Sequence, residues 1–546
     1  MHGNYLRLLL GSILICQVIA KWYKYDTGDH RIPRRHRGVD LRGRHDASGV
    51  LGGDFSSDIE TANQTIQIDK RPQTTDAEGG NEDLQVSDQR GNGPSLDESD
   101  KASNGRIIIS RPPRYVNPAV REKYLKIDMR SKGFTLDEEP FRVVGISVLA
   151  VSDRQGCQGA KEGCETDHLT IVIGADIYCH RFSYFRLMSP LYAGLCNDEN
   201  VLGVKPGTPT QKRRIREALA AAVAMGANTV RVGSCGISLG YADALQPDQH
   251  NRATPGSAAM DVHDYAIYAA GRYGLKIILP LMDNYDYYHG GKYTVLKWLG
   301  ISAENNGANF FTDPRAIAFF KSYIEFVLNR KNPYTKRTYG KDPVVSIIED
   351  GNEFGAYKGS EGYPPLAFTD EIAAQVKKFA PQALFMDGTD GFFNLTAHLQ
   401  APGLRSKAVD IVTDHPYPRD IPLLHMQAFL ARISGKAFIL GEMDWVPSAP
   451  SGNPHPRLVE PSLSAYLDVL DRYPNIGVLA WSLFVHTDDC RDWVRHHDGY
   501  EMYYPLPQDT VEKQANVLTL VQWFYARTGR EVPSLLPYQT CPQEEF

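Results

Sequence analysis

The chain has 546 residues, 42% of them hydrophobic and 10% aromatic, with a formal net charge of −6. That is apolar material for two or three average domains, or for one large barrel with extensions. The mildly acidic balance gives no electrostatic footprint for nucleic acid, and no apolar run past the first twenty residues reaches the roughly eighteen needed to span a membrane.

Residues 1–20 read as a secretory signal. Arg7 gives a positive start, 8–19 is a short apolar run, and Val18-Ile19-Ala20 offers a cut. An uncleaved anchor is the competing reading. The protein is therefore expected to be secreted and extracellular, without stable membrane insertion. Once Cys16 leaves with the signal, Cys157, Cys164, Cys179, Cys196, Cys235, Cys490 and Cys541 remain. They contain no CxxC pair, so disulfides are expected rather than a structural zinc site, and the odd number leaves at least one thiol free or intermolecular. Asn63 and Asn394 open N-glycosylation sequons.

Residues 21–105 are rich in Gly, Asp, Ser, Arg and Gln and poor in aliphatic clusters. Such a segment cannot bury enough apolar surface to offset its conformational entropy, which predicts disorder. Basic pairs at Arg34-Arg35 and Lys70-Arg71 suit propeptide processing as well as exposed charge. A catalytic domain is expected over 106–546. Within it, 134–146 reads as a hairpin running into a buried strand, and 152–209 as an insertion carrying four cysteines.

From there a pattern repeats. Residues 211–225 alternate charge with Ala and Leu at helical spacing, and Gly226 stops the run. Buried strands follow at 227–232, 275–281, 344–348, 383–386, 409–412, 437–440 and 476–481, with helices at 261–273 and 314–330. With the strand near Val143 this makes eight βα units, which predicts an α/β fold of the (β/α)8 TIM barrel type with enlarged loops. A doubly wound open sheet is the rival, but no GxGxxG or GxxxxGK[ST] follows the first strand.

In a barrel the residues after each strand converge on one face. Here they are Arg231, Asn284 and Tyr285, Asn352 and Glu353, Asp414, His415 and Tyr417, Glu442, and Trp481. Strands four and seven each end an apolar run in a glutamate, which sets two carboxylates across the mouth from each other. Glycoside hydrolysis needs that pair, one acid to protonate the leaving oxygen and one carboxylate to attack the anomeric carbon. Arg231 is expected to hold Glu442 ionised, and Glu353 to carry a proton near neutral pH. Asn352 suits a sugar 2-hydroxyl, His415 and Tyr417 suit orientation of the carboxylates, and Trp481 suits a stacking floor. His496-His497-Asp498 invites a metal reading, but adjacent histidines in a polar loop rarely share one ion. No metal or cofactor is expected.

Asn352-Glu353 and Glu442 in these contexts resemble glycoside hydrolase family 5, in the clan of retaining barrel glycosidases. The segment 283–293 with Trp298-Leu299-Gly300, together with Phe311-Thr312-Asp313-Pro314, 328–335 and 339–343, is similar to the endo-β-1,4-mannanase subfamily. That subfamily usually reads Trp-Glu-Leu-x-Asn-Glu where this chain has Ile348-Glu349-Asp350-Gly351-Asn352-Glu353, and usually has Trp at Tyr285. The resemblance implies that Glu353 is the acid/base and Glu442 the nucleophile, with Arg231, Asn352, His415, Tyr417 and Trp481 at active-site positions. It implies a monomeric enzyme acting on a mannan-type polysaccharide or oligosaccharide. An exo-acting β-mannosidase, a β-glucanase and a non-catalytic carbohydrate-binding barrel are the alternatives.

Overall fold

The computed structural model describes residues 108–109, 112, 116–150, 193–194, 209–232, 245–285, 290–355, 363–394, 399–447, 460–487, 490–494, 498–505 and 510–541. The predicted signal, the 21–105 segment with Asn63, nearly all of the 152–209 insertion, the cysteines at 157, 164, 179, 196 and 235, and His496 and His497 lie outside them.

Eight strands carry the fold: β1 Val144–Ala150, β2 Thr229–Val232, β3 Lys276–Pro280, β4 Val345–Glu349, β5 Leu384–Asp387, β6 Ile411–Asp414, β7 Ala437–Met443 and β8 Gly477–Phe484. Each pairs in parallel with the next, and β8 returns to β1 with Val478 opposite Val144, so the sheet closes on itself. Closure removes the free edges that an open sheet would expose. This is the expected barrel rather than the open sheet.

Alternation along the strands builds two cores. Ile277 and Leu279 of β3, Phe385 of β5 and Phe438 of β7 pack outward under the helices, while Ile278, Met386 and Ile439 point into the barrel. Each fully buried side chain of this kind contributes about 1.5–3 kcal/mol. The inner core continues into Phe134 and Leu136, which close the amino-terminal end of the barrel. They belong to the expected hairpin, in which Phe134–Leu136 pairs with Glu139–Pro140, and Lys126–Ile127 adds a third strand.

The helices of eight or more residues among the described ones are α1 Pro209–Ala224, α2 Ala258–Tyr273, α3 Pro314–Leu328, α4 Leu366–Phe379, α5 Ile421–Ile433, α6 Leu463–Leu470 and α7 Val511–Arg527. Ser257, Asp313, Asp420, Ser462 and Thr510 cap five of them, each accepting from a first-turn amide. One connection departs from the expected alternation. Between β5 and β6 the described residues hold only a 3-10 turn, Pro402–Leu404, and the short pair Phe393–Asn394 with Leu399–Gln400. Gly388, Gly391, Pro402 and Gly403 break any helical period there. The carboxylate of Asp387 accepts from the Gly403 amide at 2.6 Å and ties the turn to the strand end.

One buried lysine fastens the closed end. Lys276 Nζ donates to the carbonyls of Val120, Lys123 and Pro343 at 2.7, 2.6 and 2.8 Å. Lys276→Met would strand three carbonyls and is expected to lower the unfolding free energy by about 3 kcal/mol, measured by denaturant titration. A loss within experimental error would show that the contact does not stabilise the barrel.

Candidate active site

Arg231 is the second inward residue of β2, flanked by Val230 and Val232, which face the helices. Its guanidinium is 3% exposed, and a charge taken out of water needs opposite charge and hydrogen-bond acceptors around it. Glu349, the last residue of β4, supplies most of this. Arg231 Nε donates to Glu349 Oε2 at 2.8 Å and one terminal nitrogen to Oε1 at 2.9 Å. The same nitrogen donates to Asn352 Oδ1 at 2.8 Å, and the other reaches Glu442 Oε1 at 2.8 Å. One cation therefore ties the ends of β2, β4 and β7 together.

Beyond β4 the chain stays laddered to its neighbours. The Asn352 amide donates to Met282 O at 2.8 Å, and Asn284 donates back to Asn352 O at 3.0 Å. Glu353 then turns into the left-handed region at φ 55°, a conformation that costs a non-glycine residue energy and is held here by these contacts. Its carboxylate has two donors. The Tyr285 hydroxyl reaches Oε2 at 2.6 Å, and His415 Nδ1 lies 2.8 Å from Oε1.

Glu442 sits opposite, where Tyr417 donates to Oε2 at 3.0 Å and His415 Nδ1 stands 3.6 Å from Oε1. Gly441 makes this approach possible: a Cβ there would lie 2.6 Å from His415 Nε2 and 2.7 Å from Thr413 Oγ1. Oxygens of Glu353 and Glu442 and a His415 nitrogen fall within 4.8 Å of one another. Such a trio has the composition of a metal site, but both carboxylates already hold Arg231, Tyr285 or Tyr417 as partners. The second such group, Glu217, His486 and Cys541, carries Arg213 on Glu217 at 2.6 Å and has its sulfur in the Cys490–Cys541 disulfide.

Asn352 Oδ1 is held by Arg231, and Nδ2 lies 3.3 Å from Asp283 Oδ2, which leaves its second amide hydrogen for a ligand. Trp481, at the carboxyl end of β8, is partly exposed and donates from Nε1 to Asp498 Oδ2 at 2.8 Å; the Trp481–Ser482 peptide is cis. Asn284 is used differently from the expectation, because its Oδ1 accepts from the Gly355 amide at 3.2 Å and fixes the loop after β4. Tyr285, where the subfamily usually has Trp, directs its hydroxyl to Glu353.

Three participants escaped the sequence. Glu349 enters the sequence reading only within the segment that departs from the subfamily motif, although an arginine inside a barrel signals a buried carboxylate. Asp283 accepts from the Tyr285 amide at 2.8 Å as well as facing Asn352. Asp498 belongs to the triplet that invited a metal reading, and it positions Trp481.

The protons sit differently from the expectation. Burial pushes the His415 imidazole down, but the Glu442 charge and the Glu353 hydrogen bond outweigh it and lift it to about 9. Burial pushes Glu353 up, yet His415 and Tyr285 hold it below the usual carboxylate range. Burial pushes Glu442 up, His415 pulls it back, Glu353 pushes again and Arg231 opposes, with the balance at about 7. Glu353 is thus the more acidic glutamate, the reverse of the sequence expectation. The reason is distance: His415 stands 2.8 Å from Glu353 and 3.6 Å from Glu442. His415 Nε2 is buried with no hydrogen-bond partner, so a doubly protonated ring strands an N–H there. One proton therefore lies along the His415–Glu353 contact, available to either end.

With this geometry in place, comparison with known proteins is informative. The family model described as glycoside hydrolase family 5 β-mannosidase-like matches residues 192–435. Mannan endo-1,4-β-mannosidase 7 of Arabidopsis thaliana is 28% identical over 317 residues, covering 50% of this chain and 71% of that protein. Mannan endo-1,4-β-mannosidase 1 of Oryza sativa subsp. japonica is 28% identical over 218 residues, covering 39% of this chain. The chain spans about half the length of that rice relative, 49%. The crystal structure of the endo-1,4-β-mannanase from Rhizomucor miehei superposes with a TM-score of 0.52 at 16% identity, covering 75% of this chain and 100% of that one, and so shares the fold. By these matches residues 192–435 are similar to glycoside hydrolase family 5, in its β-mannosidase-like group.

Proposed function

We propose that this chain is a retaining β-glycoside hydrolase that cleaves β-1,4-mannosidic bonds in mannan-type polysaccharides. The observation that carries the reading is the pair Glu353 and Glu442, with oxygens within 4.8 Å across the barrel mouth. Retaining glycosidases hold their carboxyl groups about 5–5.5 Å apart, whereas inverting ones leave about 6.5–9.5 Å for a water. The plant relatives, all mannan endo-1,4-β-mannosidases by name, support the substrate class.

In this reading Glu442 attacks the anomeric carbon while Glu353 gives its proton to the glycosidic oxygen, so the C–O bond to the leaving sugar breaks as an ester to Glu442 forms. His415 supplies the proton that Glu353 needs, along their 2.8 Å contact. Glu353, now ionised, takes a proton from water, and the oxygen of that water displaces Glu442 from the anomeric carbon. Asn352 Nδ2 meets the 2-hydroxyl and Trp481 forms the floor under the ring. The Cys490–Cys541 disulfide supports placing the protein in an oxidising compartment, in line with export.

Glu442→Gln is expected to lower turnover of an aryl β-mannoside by roughly a thousandfold or more. Glu353→Gln should cost roughly 10²–10⁴-fold on mannotetraose, and far less on a dinitrophenyl mannoside whose leaving group needs no proton. Equal losses on both substrates would remove Glu353 from the acid role.

The pH dependence follows from the same groups. Below about 7 Glu442 takes a proton and loses its nucleophilic form, so activity falls with falling pH. Above about 9 the proton on His415 and Glu353 is lost, so activity falls with rising pH. A plot of kcat/KM against pH should be a bell between these limbs, and His415→Asn should move the alkaline limb downward. An alkaline limb unmoved by that substitution would contradict the relay.

A further inference from the structure

Four more carboxyls stand at the ends of β4, β5 and β6, and three of them serve the scaffold. Asp350 accepts from the Gly388 amide at 2.8 Å. Asp387 accepts from the Thr389 amide and hydroxyl at 3.2 and 2.7 Å, besides the Gly403 amide. Asp414 accepts from Gln427. Asp390 differs. Among the described residues no donor holds its carboxyl, and the side chain is partly exposed.

Its backbone is nonetheless fixed. The Asp390 amide donates to Phe354 O at 3.0 Å, and its carbonyl accepts from the Tyr363 hydroxyl at 2.7 Å. Phe354, the residue after Glu353, forms a parallel bridge with Thr389. The Phe354 ring packs away from the cleft, with centroids 6.1, 5.1 and 6.4 Å from those of Phe310, Phe311 and Phe368. Thr389, its bridge partner, is buried, whereas Asp390, in the bend that follows, is partly exposed. Burial pushes the Asp390 carboxyl well up, the Glu353 charge adds to this, and the Glu442 charge adds less. The bond to Phe354 thus sets Asp390 beside the chain segment that carries Glu353, the glutamate that faces the leaving oxygen.

The geometry points to Asp390 as a specificity-determining residue that hydrogen-bonds hydroxyl groups of the sugar on the leaving side of the scissile bond. A carboxyl with no protein donor offers two acceptors at once, which suits neighbouring hydroxyls on a pyranose ring, and when protonated it donates as well. The scaffold acids are buried and turned to backbone and side-chain donors of the barrel instead. The inference rests on the reading of the chain as a β-mannoside hydrolase.

The test compares kcat/KM for mannotetraose with kcat/KM for an aryl β-mannoside, whose leaving group carries no sugar hydroxyl. Wild type, Asp390→Asn and Asp390→Ala are each measured on both. The mannotetraose-to-aryl ratio should fall roughly ten- to hundredfold in Asp390→Ala, and by less in Asp390→Asn, which keeps one acceptor. A ratio equal to that of wild type in both variants overturns the role of Asp390 and leaves the proposed function standing. Wild type that cleaves the aryl mannoside alone overturns it too. Failure of wild type to cleave either substrate overturns the function and this inference together.

Discussion

The site depends on how one buried guanidinium divides its hydrogen bonds. Arg231 faces two carboxylates, and Glu349 takes two of the four contacts, leaving one each for Glu442 and Asn352. Had Arg231 paired with Glu442 alone, the full cation would have pulled that carboxyl well down and made it a weak nucleophile. Burial lifts Glu442 to about 7 and so preserves basicity for attack, and Arg231, which gives Glu349 two of its contacts, opposes this only in part. Removing one member of such a buried pair typically costs about 3–5 kcal/mol, because the partner is left charged and dry. Orientation of the nucleophile and stability of the barrel mouth are therefore the same set of contacts.

The second constraint is close approach. His415 reaches both glutamates only because Gly441 leaves no Cβ in its way. Tyr285 and Tyr417 each hold the outer oxygen of one glutamate, so the two carboxylates are fixed from opposite sides. Donors that are already in place need no reorganisation when charge moves between these groups, and this is how a preorganised site lowers a barrier.

Much of this could be read from the chain. Eight buried runs ending in polar residues are visible because a strand covered on both faces leaves a continuous apolar signature. The alternation failed between β5 and β6, where Pro402 and the glycines at 388, 391 and 403 deny a helix its period. Glu442 stands out because it ends such a run, and Glu353 because it follows one in an Asn-Glu pair. Glu349 does not, since its inward direction depends on strand phase and on the bulge between Ile277 and Ile278 that sets the β3–β4 register. The order of the two glutamate acidities was illegible for a different reason. It turns on less than an ångström in the position of His415, a scale that residue order does not encode.

Double displacement depends on the short separation of Glu353 and Glu442, and the stereochemistry of the product reports on it directly. Proton NMR of mannotetraose hydrolysis, followed before mutarotation, should show the β-anomer of the newly released reducing end first, with the α-anomer growing later. Initial release of the α-anomer would require a water between the two carboxylates, and would contradict the double displacement.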